Sequence, residues 1–489
     1  MDFIYSLLED GPKRSSYLVQ KLIEKESIKP DTARKRLTRL KTPIKSLKNF
    51  NLSNKEKIFY LDEQFGTALF FDDISQILMS TNTAAGRALS ALNTKKGVLP
   101  EYIFAKTSGL AVGFSKKHVH HTKVIEQLKS IGLVHTVPDD KYKRLICRYD
   151  KDDIPSLQRA TFEVEDIVLS IIKKWIINLG MSSSNTLKIR EDTAPQYGFF
   201  EWDFVGPCYL NPIVRYKNGK IQNGFIVGDI ILNKTITLRD LKQFFYKFDS
   251  LNNQRKIQPF LALLVSDYFE EDALQKLRAK GVIIARPKTV LGEENANLLS
   301  TLIKSIENAS TMIKENPDSL FDMFKRLNKI EGAAYNLRSV VFDFIIARIY
   351  SIEGFSCELR KKIQIVKNKQ VERVEIDVIA SREDRKVCIE GKGLAPGNNV
   401  DIEEIKKWNK KSLPRLMYWL KKDDTVSGEK IIEFYSSTNY EDNAIPLIKE
   451  IEKKNKKIKV KFYNGQDIVS KLRQFGQTSL VEIYNEHFK

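Results

Sequence analysis

Cysteine, histidine and long apolar runs are all scarce in this 489-residue chain, and each scarcity excludes something. The four cysteines (Cys147, Cys208, Cys357 and Cys388) lie far apart and form no CxxC pair. A disulfide scaffold and a cysteine-built zinc site are therefore not expected, and a reducing cytoplasm is the expected setting. The longest apolar runs, such as Phe260 to Val265, fall far short of the about 20 residues that a bilayer span needs, so no membrane segment is expected. Asp2, Glu9 and Asp10 around the first apolar stretch are wrong for a secretory leader. No P-loop, methyltransferase glycine motif or helicase signature occurs, so neither ATP nor S-adenosylmethionine is implied. His118, His120 and His121 sit close together without acidic or cysteine partners and read as surface residues.

What is abundant is positive charge. Lys and Arg number 81 against 62 Asp and Glu, a net of +19, on a chain that is 42% hydrophobic and 10% aromatic. Such a composition folds into sizeable cores, about three or four domains at this length. The excess favours a polyanionic partner, most simply nucleic acid. Residues 1–150 hold 26 Lys/Arg and 16 Asp/Glu, a net of +10, whereas 151–350 carry only +3 and 351–450 only +1. That asymmetry is what a separate DNA-docking module produces.

Residues 2–9 and 15–26 have helical apolar spacing, separated by the Gly11-Pro12 breaker. A third helix, Asp31 to Leu40, is expected to be capped by Asp31 or Thr32, with Leu37 and Leu40 facing the core. Extended stretches at 46–52 and 57–61, turning around Asn54, suit a hairpin. Three helices plus a hairpin resemble the winged-helix family, whose third helix enters the major groove. The resemblance makes Arg34, Lys35, Arg36 and Arg39 candidate DNA contacts, although a basic protein–protein module has the same pattern. Lys116 to Ile131 followed by a hairpin over 133–149 repeats the theme, with Lys141, Lys143 and Arg144 on it.

The chemistry lies in the C-terminal third. Glu372 to Ala380 and Val387 to Gly393 read as two strands joined by a charged turn, with Asp377 on the first and Glu390 and Lys392 on the second. Glu390 and Lys392, at i and i+2, project from one face, and antiparallel pairing can set Asp377 beside Glu390. Paired carboxylates bind Mg²⁺ through hard oxygens, and an adjacent lysine can orient or deprotonate an attacking water. This D…ExK arrangement, behind a helix over 338–353 and followed by helix, strand, helix and strand, resembles the PD-(D/E)xK nuclease superfamily, nearest its Mrr-like and type II restriction branches. The resemblance covers about residues 330–470. It implies that Asp377, Glu390 and the Gly391 carbonyl hold Mg²⁺ (Mn²⁺ substituting), with Lys392 at the water and Asp343 and Glu375 as further candidate ligands. It also implies hydrolysis of double-stranded DNA to a 5′-phosphate and a 3′-hydroxyl, one strand per site, a double-strand break requiring a homodimer or two successive nicks.

Residues 160–290 follow the same order of elements, with Trp202 to Val205 and Gly224 to Leu232 in the places of the motif strands. Ile230 and Ile231 cannot replace Lys392, so this is expected to be a degenerate copy in which Asp203 and Asp229 bind metal weakly at most; an unrelated α/β domain is the alternative. The expected organisation is multi-domain. It comprises a mainly α winged-helix domain (1–66), a second helical, winged-helix-like domain (67–155), a degenerate nuclease-like α/β domain (156–297), a helical connector (298–330) and an α/β/α restriction-endonuclease-like domain (331–489). The expected function is a Mg²⁺-dependent DNA endonuclease of restriction or phage-defence type. A non-enzymatic DNA-binding regulator and a nuclease for junctions or RNA are the alternatives.

Overall fold

A computed structural model describes residues 2–489 except 48–49, 51, 53–55, 114–117, 140, 192, 218–219, 255–256, 331–333, 368–369, 424, 427 and 456. Asn54 and Lys116 therefore lie outside the described residues.

The first module runs α1 (Asp2–Glu9), β1 (Lys13–Arg14), α2 (Ser15–Glu26), α3 (Pro30–Thr38), β2 (Ile44–Ser46) and β3 (Ile58–Leu61). Its strands form an antiparallel sheet in the order β1-β3-β2. Leu18, Leu22, Ala33, Leu37 and Phe59 fill the core, as the helical spacing predicts. The start of α3 differs from expectation. Lys29 is the extended residue before the helix and Pro30 opens it, with no side-chain cap, because proline's preset φ suits a first helical turn whose N–H groups lack partners anyway.

The second module runs α4 (Ala68–Met79), α5 (Ala84–Thr94), β4 (Val98–Pro100), α6 (Glu101–Ser108), α7 (His121–Ser130), β5 (Val134–Asp139) and β6 (Lys143–Arg148), with sheet order β4-β6-β5. From α5 onward it repeats the first module's order of helix, strand, two helices and two strands. Thr67 and Thr83 cap α4 and α5 by accepting from Phe70 N (3.2 Å) and Gly86 N (3.1 Å). The histidine cluster is half-buried rather than superficial: His120 caps α7 and its Nε2 lies 2.9 Å from the Val112 carbonyl, and His118 Nδ1 lies 3.1 Å from Tyr246 Oη.

Two α/β units follow. The first contains α8 (Ser156–Asn178), β7 (Lys188–Ile189), β8 (Gln196–Tyr197), β9 (Phe200–Glu201), β10 (Phe204–Cys208), β11 (Arg215–Lys217), β12 (Lys220–Gln222), β13 (Gly224–Ile236), α9 (Lys242–Asn252), β14 (Phe260–Phe269), α10 (Glu271–Ala279) and β15 (Ile283–Ala285). Helices α11 (Pro287–Leu291), α12 (Glu293–Glu307), α13 (Ala309–Glu315) and α14 (Pro317–Asn328) connect it to the second. That unit runs α15 (Ala334–Ile352), β16 (Ser356–Lys367), β17 (Gln370–Arg382), β18 (Arg385–Lys392), α16 (Ile402–Lys422), β19 (Glu429–Ser436), α17 (Ile445–Lys454), β20 (Lys459–Tyr463), α18 (Gly465–Gln474) and α19 (Thr478–Phe488).

The sheets are β7-β10-β13-β14-β15 and β16-β17-β18-β19-β20. Both pair antiparallel, antiparallel, parallel, parallel in that order. Their central strands are apolar on both faces, as in Val387-Cys388-Ile389 and Ile431-Ile432, because helices cover both sides. On one side the two units share a single core, in which Val164, Ile167, Val168 and Ile172 of α8 cluster with Leu337, Val341, Phe344 and Ile345 of α15. On the other, Ile405, Trp408 and Leu416 of α16 cover Cys388, Ile432 and Phe434. No described helix is long and apolar enough to cross a membrane.

Candidate active site

The two-residue turn between β17 and β18 sets the register from Arg382↔Arg385 up to Val378↔Ile389, and the next step places Asp377 opposite Glu390. The ladder stops there because the Gly391 N–H donates to Asp377 Oδ2 (2.8 Å). Lys392 Nζ lies 2.9 Å from Glu390 Oε1 and 3.2 Å from Glu404 Oε1 on α16. Asp401 positions that helix start by accepting from Glu404 N (2.7 Å). Asp377, Glu390 and Lys392 are thus gathered at one end of the hairpin, and Glu404 is a fourth member that the sequence reading missed.

Asp343 arrives from α15. A Cβ on Gly391 would stand only 3.1 Å from Asp343 Oδ1, so glycine at this position permits the helix carboxylate to approach the strand. Asp343 Oδ2 accepts from Arg360 Nε (3.0 Å) and Nη2 (2.9 Å). Arg360 also pairs with Glu163 of α8, and its backbone is left-handed (φ +52°) at the point where β16 passes Asp377. The Glu375 carboxylate is held by Arg159 Nη1 of α8 at 2.6 Å. Neither Asp343 nor Glu375 is therefore a bare carboxylate: each is engaged by an arginine.

The electrostatics separate these groups. Burial raises the Asp377 carboxyl well above the usual carboxylate range, and Glu390 and Asp343 add to this against Lys392 and the Gly391 N–H. Asp343 is pushed up to about 6, by burial first, with Arg360 opposing. Glu163 goes the other way: burial would raise it, but Arg360 and Lys141 outweigh burial and hold it at about 2. Lys392 would be lowered by burial but is raised by Glu390 and Asp377, which keeps it an ammonium. Among the described residues no lysine or arginine stands within ion-pair distance of Asp377, whereas Glu390 has Lys392, so the charge of an ionised Asp377 has no directly paired cation.

The middle unit provides the control. Its register, Phe204↔Gly228 and Phe204↔Ile189, sets Asp203 opposite Asp229 on one side and opposite Arg190 on the other. In the C-terminal unit the same steps set Asp377 opposite Glu390 and opposite Arg360. The Ile230 N–H donates to Asp203 Oδ2 at 2.8 Å, as Gly391 does to Asp377. Arg190 reaches Asp166 on α8 (2.6 Å), as Arg360 reaches Asp343 on α15 (2.9 Å). Five positions thus correspond between the units: Asp166 and Asp343, Arg190 and Arg360, Asp203 and Asp377, Asp229 and Glu390, Ile231 and Lys392.

What differs is the counter-charge. Asp203 binds Lys106 of α6 at 2.8 Å and Arg190 at 2.6 Å, and Asp229 binds Lys247 of α9 at 2.6 Å. All five groups are buried. Against the cost of burial, Arg190 and Lys106 hold Asp203 at about 2. The expectation that this pair binds metal weakly is replaced by a definite arrangement: three protein cations already occupy the carboxylates. Lys106, Arg190 and Lys247 carry no local sequence signal, because each comes from a different element.

The expected DNA contacts separate into two groups. Arg34, Lys35, Arg36 and Arg39 are exposed on and just after α3, Arg34 pairing with Asp31 (3.0 Å) and Arg36 with Glu26. Lys141, itself exposed, reaches the buried Glu163 with its Nζ (2.7 Å), tying the β5–β6 hairpin to α8, and Arg144 pairs with Glu101 (3.3 Å). Lys143 is exposed, in the left-handed region (φ +62°).

No protein-family model and no curated protein matches this chain. A solved structure titled "Crystal Structure of Protein of Unknown Function AF1548" is similar over 30% of this chain and 96% of its own, at 13% identity and a TM-score of 0.21. That likeness carries no argument.

Among the described residues no three Asp, Glu, His or Cys side chains converge on one point. The arrangement is a carboxylate pair, Asp377 and Glu390, with excess negative charge and a lysine alongside. Hard oxygen donors with unbalanced charge fit a hard divalent cation.

Proposed function

We propose that this chain is a Mg²⁺-dependent DNA endonuclease whose 331–489 unit is of the PD-(D/E)xK type. The observation that carries the reading is the contrast between the two units. At equivalent register positions one carboxylate pair is neutralised by three internal cations, while Asp377 and Glu390 are left short of positive charge beside Lys392. Asp377, Glu390 and the Gly391 carbonyl would hold a divalent cation, Mg²⁺ or Mn²⁺ in its place, which when bound would supply Lewis-acid polarisation of the scissile phosphodiester. Lys392, fixed between Glu390 and Glu404, offers its ammonium to orient the attacking water and to offset charge developing on the phosphate. Arg360 acts through Asp343, and Arg159 through Glu375; both are positioning residues that hold these carboxylates in place. The products are a 5′-phosphate and a 3′-hydroxyl.

The two N-terminal modules are read as winged helices that dock double-stranded DNA. Their repeated order of elements, the net +10 over residues 1–150 and the exposed cations of α3 support this. The experiment is cleavage of plasmid DNA with Mg²⁺ against EDTA, using wild type, Lys392→Ala and Glu390→Gln. Loss of at least about 100-fold in rate is expected for each variant. Equal activity in wild type and Lys392→Ala overturns the assignment, and DNA binding without cleavage identifies a regulator instead. Parallel reactions on branched DNA and RNA define the substrate class.

A further inference from the structure

Of the two α/β units, the middle one has its carboxylate pair already paired with protein cations. The Asp203–Asp229 pair is buried: side-chain exposure is 0% for Asp203, 9% for Asp229, 6% for Lys106, 1% for Lys247 and 2% for Arg190. Admitting a cation there means expelling a buried ammonium or guanidinium and leaving it without its partner, which is strongly unfavourable. No phosphodiester has access to that pair, and Ile231 supplies no ammonium where Lys392 does.

The inert unit also covers the competent one. Helix α8 packs on α15 in one continuous core, and buried ion pairs cross between the units from Arg159 to Glu375 and from Glu163 to Arg360. The face of α15 opposite its own sheet is therefore already buried within the chain and is not free for a second copy. Nor does the rest of the catalytic unit offer a replacement. Among the described residues of 331–489 the only large apolar side chain that is exposed is Ile445. A stable homodimer buries on the order of 2,000 Å² or more of largely apolar surface, which an isolated isoleucine does not provide.

We propose that this chain acts as a monomer that cuts one DNA strand per binding event, the Asp203/Asp229 unit being packed against the Asp377/Glu390 unit over the helix face that would otherwise be open to a second copy. The inference rests on the nuclease reading above, and it specifies a nicked product where that reading allowed either outcome.

Two measurements test it. Light scattering of the full chain, with and without a short DNA duplex, is expected to give one copy of the 56.4 kDa chain in both cases; a two-copy species overturns the inference whether or not any cleavage is seen. With Mg²⁺ and supercoiled plasmid, open circles are expected to accumulate to near completion before linear DNA, with an initial rate proportional to enzyme concentration. Linear DNA formed directly from supercoiled DNA, or a rate rising with the square of enzyme concentration, also overturns it. A monomer that cleaves neither strand with Mg²⁺ or Mn²⁺ overturns the nuclease reading and the nicking inference with it, whereas a cleaving dimer overturns the inference alone.

Discussion

Replacing the motif aspartate by asparagine should change stability in opposite directions in the two units. Asn is nearly isosteric with Asp and keeps an oxygen to accept the N–H of Ile230 or Gly391, so both substitutions test charge rather than shape. Asp203→Asn leaves Lys106 buried without its counter-charge and Arg190 with Asp166 alone, and breaking a buried pair in this way costs about 3–5 kcal/mol. For a unit of this size that lowers its melting temperature by on the order of 10 °C. Asp377→Asn removes a carboxylate raised by burial and by Glu390 and Asp343, with no directly paired cation to lose. In EDTA it should therefore stabilise, by roughly 1–3 kcal/mol, the usual size of an uncompensated burial penalty. The sign of the pH effect follows from the raised carboxyl. Its folded form holds the proton more tightly than the unfolded chain, so the penalty in wild type grows as pH rises and the gain in Asp377→Asn is larger at pH 8 than at pH 5. Mg²⁺ should reverse the ranking, since wild type gains about 2.7 kcal/mol at a hundredfold excess over the dissociation constant and Asp377→Asn gains little. Thermal unfolding in EDTA and in Mg²⁺ at the two pH values reads all of this. If both substitutions destabilise equally in EDTA, the two sites do not differ in charge balance and the central argument fails.

Three further outcomes follow from particular contacts. His487 is buried with neither ring nitrogen hydrogen-bonded, and burial, then Arg338, lower its pKa from 6.5 to about 4; the unfolded chain protonates first, so about 3 kcal/mol is lost as pH falls from 6.5 through 4, and His487→Phe should flatten that part of the acid-unfolding curve. Glu375→Gln should cost less than Arg159→Met, because Arg159 keeps Asp153 (3.0 Å) when Glu375 is neutralised, whereas the double substitution should recover part of the single losses in urea unfolding, and strict additivity refutes the pairing. Lys35→Ala and Arg39→Ala should each weaken DNA binding evenly across sequences and reduce the slope of log affinity against log salt by about 1; an unchanged slope removes α3 from the interface.

Much of the architecture was legible because it depends on short-range signals. Apolar spacing with the Gly11-Pro12 breaker marked the helices, and extended apolar runs marked the strands. The pairing of Asp377 with Glu390 was readable for the same reason: two strands joined by Glu383-Asp384 can meet in few registers, and the spacing selects one. The start of α3 at Pro30 was misjudged because two good capping residues follow a proline that begins the helix without them. Lys141 was read as a candidate DNA contact, and its pairing with Glu163 was not legible because it depends on where α8 packs.

By itself the sequence determined the order of elements, the concentration of positive charge in the first third, and the local geometry that puts two carboxylates and a lysine at the end of one hairpin. Only the tertiary structure decided which carboxylates remain uncompensated. Lys106, Arg190 and Lys247 reach Asp203 and Asp229 from separate elements, Arg159 and Arg360 take up Glu375 and Asp343, and Lys392 takes up Glu390, so that Asp377 has no lysine or arginine within ion-pair distance among the described residues. The physical reason is range. Hydrogen bonding and apolar periodicity act between near neighbours in the chain, whereas the charge balance of a buried site depends on every ion that folding brings within a few ångströms.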